Sequence, residues 1–178
     1  FLAQAGDSAV VLAPTGVAAM NAGGQTIHSF FKFPPRLIEP AVIRRLRSTR
    51  LIKAIDTMII DEISMVRSDM LDAIDKSLKL NRASKRPFGG VRMILSGDLH
   101  QLPPVVSNQE APILKERHGG QYFFNCAAFR EAEFALLALK HVFRQEDPRF
   151  LALLGALRTG RVTPADEATL HGLVSHRS

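Results

Sequence analysis

Cys126 is the only cysteine in the chain. One thiol excludes an intramolecular disulfide, and with no second thiol near it a structural zinc site has no basis. Cys126 is expected to be a small buried residue and not a nucleophile. The histidines, His28, His100, His118, His141, His171 and His176, show no ligand spacing. No apolar run approaches the roughly 20 residues that cross a bilayer, so no membrane partner is expected. Phe1 to Ser8 lacks the basic start, apolar run and small-residue cleavage site of a signal peptide. Repeats and low-complexity tracts are also absent. Together these absences predict an intracellular, cytoplasmic protein.

The composition is that of a globular protein. At 178 residues, 46% hydrophobic and 22% charged, the chain can form one domain with its own core and needs no stapling device. Lys and Arg number 23 against 17 Asp and Glu, giving a net charge of +6. That excess favours polyanionic partners, nucleic acid or nucleotide phosphates, without choosing between them.

Ala9 to Ala13 (AVVLA), Met58 to Ile60 (MII) and Val91 to Leu95 (VRMIL) are short apolar runs bounded by polar or turn residues. Such runs suit strands of a parallel sheet, apolar on both faces because helices cover them. Met70, Ile74 and Leu78 recur every four residues while Asp69, Asp72, Lys76 and Lys79 take other faces. This predicts an amphipathic surface helix from Arg67 to about Arg82. Tyr122 to Phe124 and Phe134 to Leu139 are candidate further strands, with a short helix around Ala127 to Ala132 between them. Phe150, Leu153, Leu154 and Leu157 follow helical spacing up to a C-cap at Gly160. Thr163, Pro164 and Asp166 then start another helix, and the pair reads as a hairpin. Alternating strands and helices predict a doubly wound α/β domain. Phe33 to Lys53 differs, with three prolines, then Arg36, Arg44, Arg45, Arg47, Arg50 and Lys53, and Val42, Ile43 and Leu46 as its only clear apolar face. It reads as an irregular excursion followed by a basic helix, either a solvated face or a surface that tracks a phosphate backbone.

The chemistry gathers at strand ends. MIIDEISM, Met58 to Met65, ends an apolar strand in two carboxylates, which places them at the carboxyl edge of the sheet where open α/β folds bind ligands. There Asp61 can hold magnesium and Glu62 can orient or deprotonate an attacking water. Taken alone, the pair reads more readily as a polar turn with a helix-capping acid, common in any α/β protein. SGDLHQLPPV, Ser96 to Val105, follows another strand, and Gln101 in it can sense a terminal phosphate by donating a hydrogen bond. In APTGVAA, Ala13 to Ala19, Pro14 and Gly16 shape a strand-to-helix turn, and the Thr15 hydroxyl with exposed helix N-terminal amides suits a phosphate. GGQTIHSFF, Gly23 to Phe31, offers Thr26 and His28 as hydrogen-bonding groups and Phe30 and Phe31 as rings that either stack bases or fill the core.

APTGVAA, GQTIHSFF, IIDEISM, GDLHQLPPV and HVFRQEDPRF, in this order, resemble the motor core of the Pif-type DNA helicases and their RecD-like relatives in superfamily one. The resemblance covers nearly the whole chain. It implies a RecA-like P-loop NTPase fold, a mostly parallel sheet flanked by helices, with residues 1–178 forming part of a first motor domain. It implies ATP and Mg2+ as cofactors, with Asp61 on the metal, Glu62 activating water, Gln101 sensing phosphate, Asp98 beside the nucleotide and Arg144 on the terminal phosphate. Pro14, Thr15, Gly16, Thr26, His28 and Phe30 would contact single-stranded DNA. The excursion at about 33–53 would be a small wedge that splits duplex at single-strand/double-strand junctions.

One family motif is missing, because no GxxxxGK[ST] occurs in these residues. In the family that loop precedes the helix leading into the first strand, so the resemblance implies truncation at the N-terminus, with Phe1 to Gly6 as that helix's tail. The resulting expectation is an ATP-dependent helicase moving five-prime to three-prime in the whole protein. The alternative is a non-catalytic nucleic-acid-binding module derived from such a motor.

Overall fold

The computed structural model describes residues 8–47, 49–139, 143, 145 and 147–175. Four parallel strands form one sheet: β1 (Ala9–Ala13), β2 (Gln25–Thr26), β3 (Thr57–Ile60) and β4 (Arg92–Leu95), in the order β2-β1-β3-β4. Register runs Leu12 to Ile60 and Ile60 to Leu95, so all four strands end on one edge. Parallel neighbours require crossovers, which the helices α1 (Gly16–Asn21), α2 (Ile27–Phe31), α3 (Thr49–Ala54) and α4 (Ser68–Arg82) help to supply. Three predicted strands are thus present. β2 has no apolar run to announce it; a Cβ on Gly24 would stand 2.1 Å from Val11 O, so glycine is what lets that backbone close on β1.

The core is built around the strands and α4. Leu12, Met58, Ile60, Ile27, Leu71 and Leu78 are inaccessible to solvent, and burying an aliphatic side chain contributes roughly 1.5–3 kcal/mol. Met70, Ile74 and Leu78 are buried as their spacing predicts. The expectation of a surface helix fails on the other faces, because Asp69, Asp72 and Asp75 are also buried, at 3%, 8% and 5% exposure. Each accepts a backbone N–H from a different segment: Ile38 N on Asp69 at 2.8 Å, Ala128 N at the start of the helix at 127–131 on Asp72 at 2.9 Å, Phe88 N on Asp75 at 2.7 Å. Asn81 takes Leu46 N at 2.8 Å in the same way. Lys76 alone of the predicted polar residues is fully exposed, Lys79 being half-buried in an ion pair with Asp75 at 2.8 Å.

The excursion packs on this frame. Phe33, Ile38 and Ile52 are buried in the main core, with Val42, Ile43 and Leu46 partly buried against it, so its apolar content is larger than the sequence suggests. Its helix is only α3; Arg44 to Leu46 lie in irregular chain. Arg82 ties down the end of α3, donating to Ile52 O, Lys53 O and Ile55 O at 2.7–3.1 Å and through Nε to Gly89 O at 3.0 Å.

After β4 come α5 (Glu110–His118) and α6 (Ala127–Glu131). Neither later strand forms. Phe123–Asn125 is a single 3-10 turn, with Tyr122 making one isolated bridge to Arg67. Phe134 stacks on Phe129 instead of entering a strand, and Leu136, Leu137 and Leu139 lie exposed in irregular chain. A short apolar run carries the same signal whether or not a strand edge is there to receive it. A second unit, Ala135–Ser178, contains α7 (Pro148–Thr159), capped by Asp147 and Gly160, and α8 (Pro164–Ser175). Thr163 and Asp166 exchange side-chain and backbone hydrogen bonds ahead of α8, as the box pattern predicts. No helix among the described residues is long and apolar enough to cross a membrane.

Asp75→Ala is expected to strand the buried Phe88 amide and to lower stability by about 2–4 kcal/mol in urea unfolding. Lys76→Ala is expected to leave the midpoint unchanged, and equal effects from both would contradict the buried-carboxylate reading.

Candidate nucleotide and nucleic-acid site

The strand order reverses direction between β1 and β3, since β2 lies on one side of β1 and β3 and β4 on the other. Such a switch point opens a crevice at the carboxyl edge. Four loops meet that edge: Pro14–Thr15 after β1, Ile27 onward after β2, Asp61–Glu62 after β3 and Ser96–Gln101 after β4. Asp61 N donates to Leu12 O at 2.9 Å, which fixes the acidic turn against the end of β1.

The acidic turn is strained. Glu62 has φ 52° and ψ 44°, a left-handed conformation rare outside glycine. Glu62 N donates to Asp61 Oδ1 at 3.0 Å, so one Asp61 oxygen steers the turn while the other makes no hydrogen bond. The Glu62 carboxylate has no hydrogen-bond or ion-pair partner among the described residues, and both acids are half-buried. In the same turn the buried Ser64 hydroxyl also has no hydrogen-bond partner among the described residues.

The two strand-end loops touch backbone to backbone. Ile63 N donates to Ser96 O and Ser96 N to Ile60 O, each at 2.9 Å. A Cβ on Gly97 would lie 3.0 Å from both Ile63 N and Ile63 Cγ2, so a side chain here would push the acidic turn away by a few tenths of an ångström. Beyond it Asp98 shapes the loop, accepting His100 N at 3.0 Å and Gln101 Nε2 at 3.3 Å. Asp98 therefore holds Gln101, a role that its place in the motif does not reveal. Gln101 itself is exposed.

On the other side of the switch, Thr15 and Thr26 cap α1 and α2. Their Oγ atoms accept Ala18 N and Ser29 N, each at 3.2 Å, which leaves each hydroxyl hydrogen to donate. Pairing of Ala13 with Thr26 sets these two helix starts side by side. His28 is half-buried, and burial first, then the Arg67 charge, lowers its pKa from the usual 6.5, so its ring is neutral at neutral pH. Phe31 is core, stacked on Phe33 at 5.2 Å; Phe30 is partly buried against that core and meets Phe31 edge-on at 4.8 Å.

Arg67 is the residue that the sequence did not single out. It directly follows the acidic segment and binds Asp69 at 2.8 Å, Glu110 at 3.2 Å and Arg36 O at 2.9 Å. Burial opposes its charge, but the Asp69 hydrogen bond and the attraction of Asp69 and Glu110 outweigh burial and raise its pKa. One guanidinium thus joins α4, α5 and the excursion and lies close enough to His28 to affect its titration. Arg144 lies outside the described residues. Cys126 is inaccessible to solvent and burial pushes its thiol up to about 12, which removes it as a nucleophile.

A parallel sheet with its switch point at paired carboxylates and helix starts defines a RecA-like α/β domain. Comparison with known proteins gives the family: residues 1–167 match the model for PIF1-like helicase. The chain belongs to the PIF1-like helicase family. It is 35% identical over 166 residues to the ATP-dependent DNA helicase PIF1 of Emericella nidulans, a match covering 89% of this chain and 21% of that relative. The Pif1 helicase from Bacteroides, in complex with ADP-AlF3 and ssDNA, superposes with a TM-score of 0.85 at 42% identity, covering 89% of this chain and 38% of that one. A Pif1 structure described as the basis for unwinding forked dsDNA by two coordinating helicases gives a TM-score of 0.88 at 41% identity, over 96% of this chain and 42% of that one. The chain thus spans about a fifth of the length of the curated relative it matches.

Gly97→Ala is expected to push the two loops apart, shift the amide resonances of residues 61–64 and lower stability by about 1–3 kcal/mol. Gly16→Ala, where nothing stands within 4 Å of a Cβ, serves as the control. Identical behaviour of the two variants would contradict the close-approach argument.

Proposed function

We propose that the carboxyl edge is half of an ATP site and, on its β1–β2 side, a track for single-stranded DNA. The chain would then serve an ATP-dependent DNA helicase that moves five-prime to three-prime and opens duplex at junctions. The single observation that carries this is the meeting of four loops at one switch point, carboxylates on one side of it and helix-capping hydroxyls on the other. The relatives' names and their complexes with ADP-AlF3 and ssDNA support the same reading.

Asp61 and Glu62 fit a Mg2+–nucleotide, because they offer hard oxygen donors with no competing side-chain cation among the described residues. Mg2+ is usually held by one or two carboxylates together with substrate phosphates and water. When bound, the ion would draw charge from the phosphate oxygens. Asp61 would hold it through the oxygen that does not steer the turn. Glu62, unpaired and fixed by its left-handed backbone, would take the proton of the attacking water. Gln101 would donate to the terminal phosphate, with Asp98 fixing its amide. Arg144 would stabilise charge on that phosphate, an assignment that rests on the motif alone. Thr15 and Gly16, in a turn shaped by Pro14, would hold DNA phosphates together with Thr26 and His28 through hydroxyl, amide and neutral imidazole donors, and Phe30 would meet a base edge-on or through its exposed part. The excursion at 33–53 would act as the wedge from a base packed against α4.

In the whole protein, Glu62→Gln is expected to lower DNA-stimulated ATP hydrolysis by about 10²–10⁴-fold, the usual contribution of a general base. Binding of a single-stranded oligonucleotide, read by fluorescence anisotropy, is expected to stay within about twofold. Unchanged hydrolysis, or equal loss of both properties, would overturn the assignment of Glu62.

A further inference from the structure

The opposite edge of the sheet holds a second basic site. β3 and β4 are four residues long, so their starts lie roughly 13 Å from the carboxylates at their ends. At those starts Arg82, Arg86 and Arg92, with Asp56, Gly90 and Met93, line an open cavity of about 600 Å³. Cavities of this size suit a nucleotide-sized ligand.

Two of the three arginines are prepared for an anion. Arg82 is held rigid by four backbone carbonyls, which are neutral, so its positive charge meets no carboxylate among the described residues. All four bonds use Nε and Nη1, and Nη2 makes no hydrogen bond among the described residues. Arg86 makes no side-chain hydrogen bond or ion pair among the described residues and folds over Gly90, its Nη1 3.5 Å from where a Cβ on Gly90 would stand. A Cβ at position 90 would rest on that guanidinium in ordinary van der Waals contact, and it is the φ of +82° that favours glycine there. The single acid in the lining, Asp56, is engaged with Ser8 N at 3.0 Å.

We infer that this cavity binds a phosphate group, carried by a nucleic-acid backbone or by a free nucleotide. Guanidinium forks match phosphate oxygens in shape and stay charged at every physiological pH. A fork fixed by carbonyls beside one with no hydrogen bond among the described residues allows Arg82 to set the phosphate position and Arg86 to reach it. The site is separate from the carboxyl edge, so a ligand here neither requires nor displaces a nucleotide at Glu62.

Amide-resolved NMR titration of the chain tests this, using inorganic phosphate, a mononucleotide and a short oligothymidylate as probes. Inorganic phosphate is expected to shift the amides of residues 89–92 saturably. Arg86→Glu is expected to weaken this by about tenfold or more, the loss of one charge-assisted contact, with Arg86→Gln between the two. Arg82 is left intact because it supports α3. Tighter binding of the oligothymidylate than of the mononucleotide identifies a nucleic-acid backbone as the source, and equal binding identifies a free nucleotide. Silence of these amides, or Arg86→Glu titrating like the unaltered chain while its other resonances are unmoved, overturns the site.

Discussion

Three carboxylates on one buried helix hold this domain in shape. Asp69, Asp72 and Asp75 are out of solvent, and each accepts a backbone amide from a different segment of the chain. A buried carboxylate is costly unless it is hydrogen-bonded, and a buried amide is costly without an acceptor. Each pairing therefore fixes a segment to α4 more firmly than apolar contact alone, which tolerates sliding. The excursion, the turn before β4 and the start of α6 are all anchored in this way.

That anchoring reaches the site directly. α4 begins six residues after Glu62, joined by a turn whose Val66 is fully buried. A rigid α4 therefore sets where the strained acidic turn can stand, and Gly97 allows the neighbouring loop to close on it. Arg67, at the junction, binds the excursion and α5 as well as Asp69. The strain at Glu62 persists because its neighbours leave the turn no alternative. The same frame keeps Arg82 fixed at the far edge, so one helix supports both edges of the sheet.

Much of this was legible in the sequence. Apolar runs at Ala9, Met58 and Val91 carried the three longer strands, and the four-residue period of Met70, Ile74 and Leu78 carried α4. Ends of strands predicted the edge on which Asp61, Gln101 and Thr15 would appear. What stayed hidden depends on partners distant in sequence. Burial of Asp69, Asp72 and Asp75 rests on amides 13 to 56 positions away, and without those partners acids on a helix read as a solvated face. β2 is two polar residues made into a strand by Gly24 and Val11. Phe33, Ile38 and Ile52 looked like part of a loop because prolines and arginines break their spacing. The proposed strands at 122–124 and 134–139 failed for the converse reason, local apolarity with no edge to join.

The β1–β2 side of the switch point is the surface that we propose meets single-stranded DNA. An amide-resolved titration of the chain with a single-stranded oligonucleotide, repeated across a salt series, tests it most directly. The account expects shifts at Thr15, Gly16, Thr26 and His28, with log affinity falling linearly as log salt rises. Absence of shifts at those residues at low salt would contradict it.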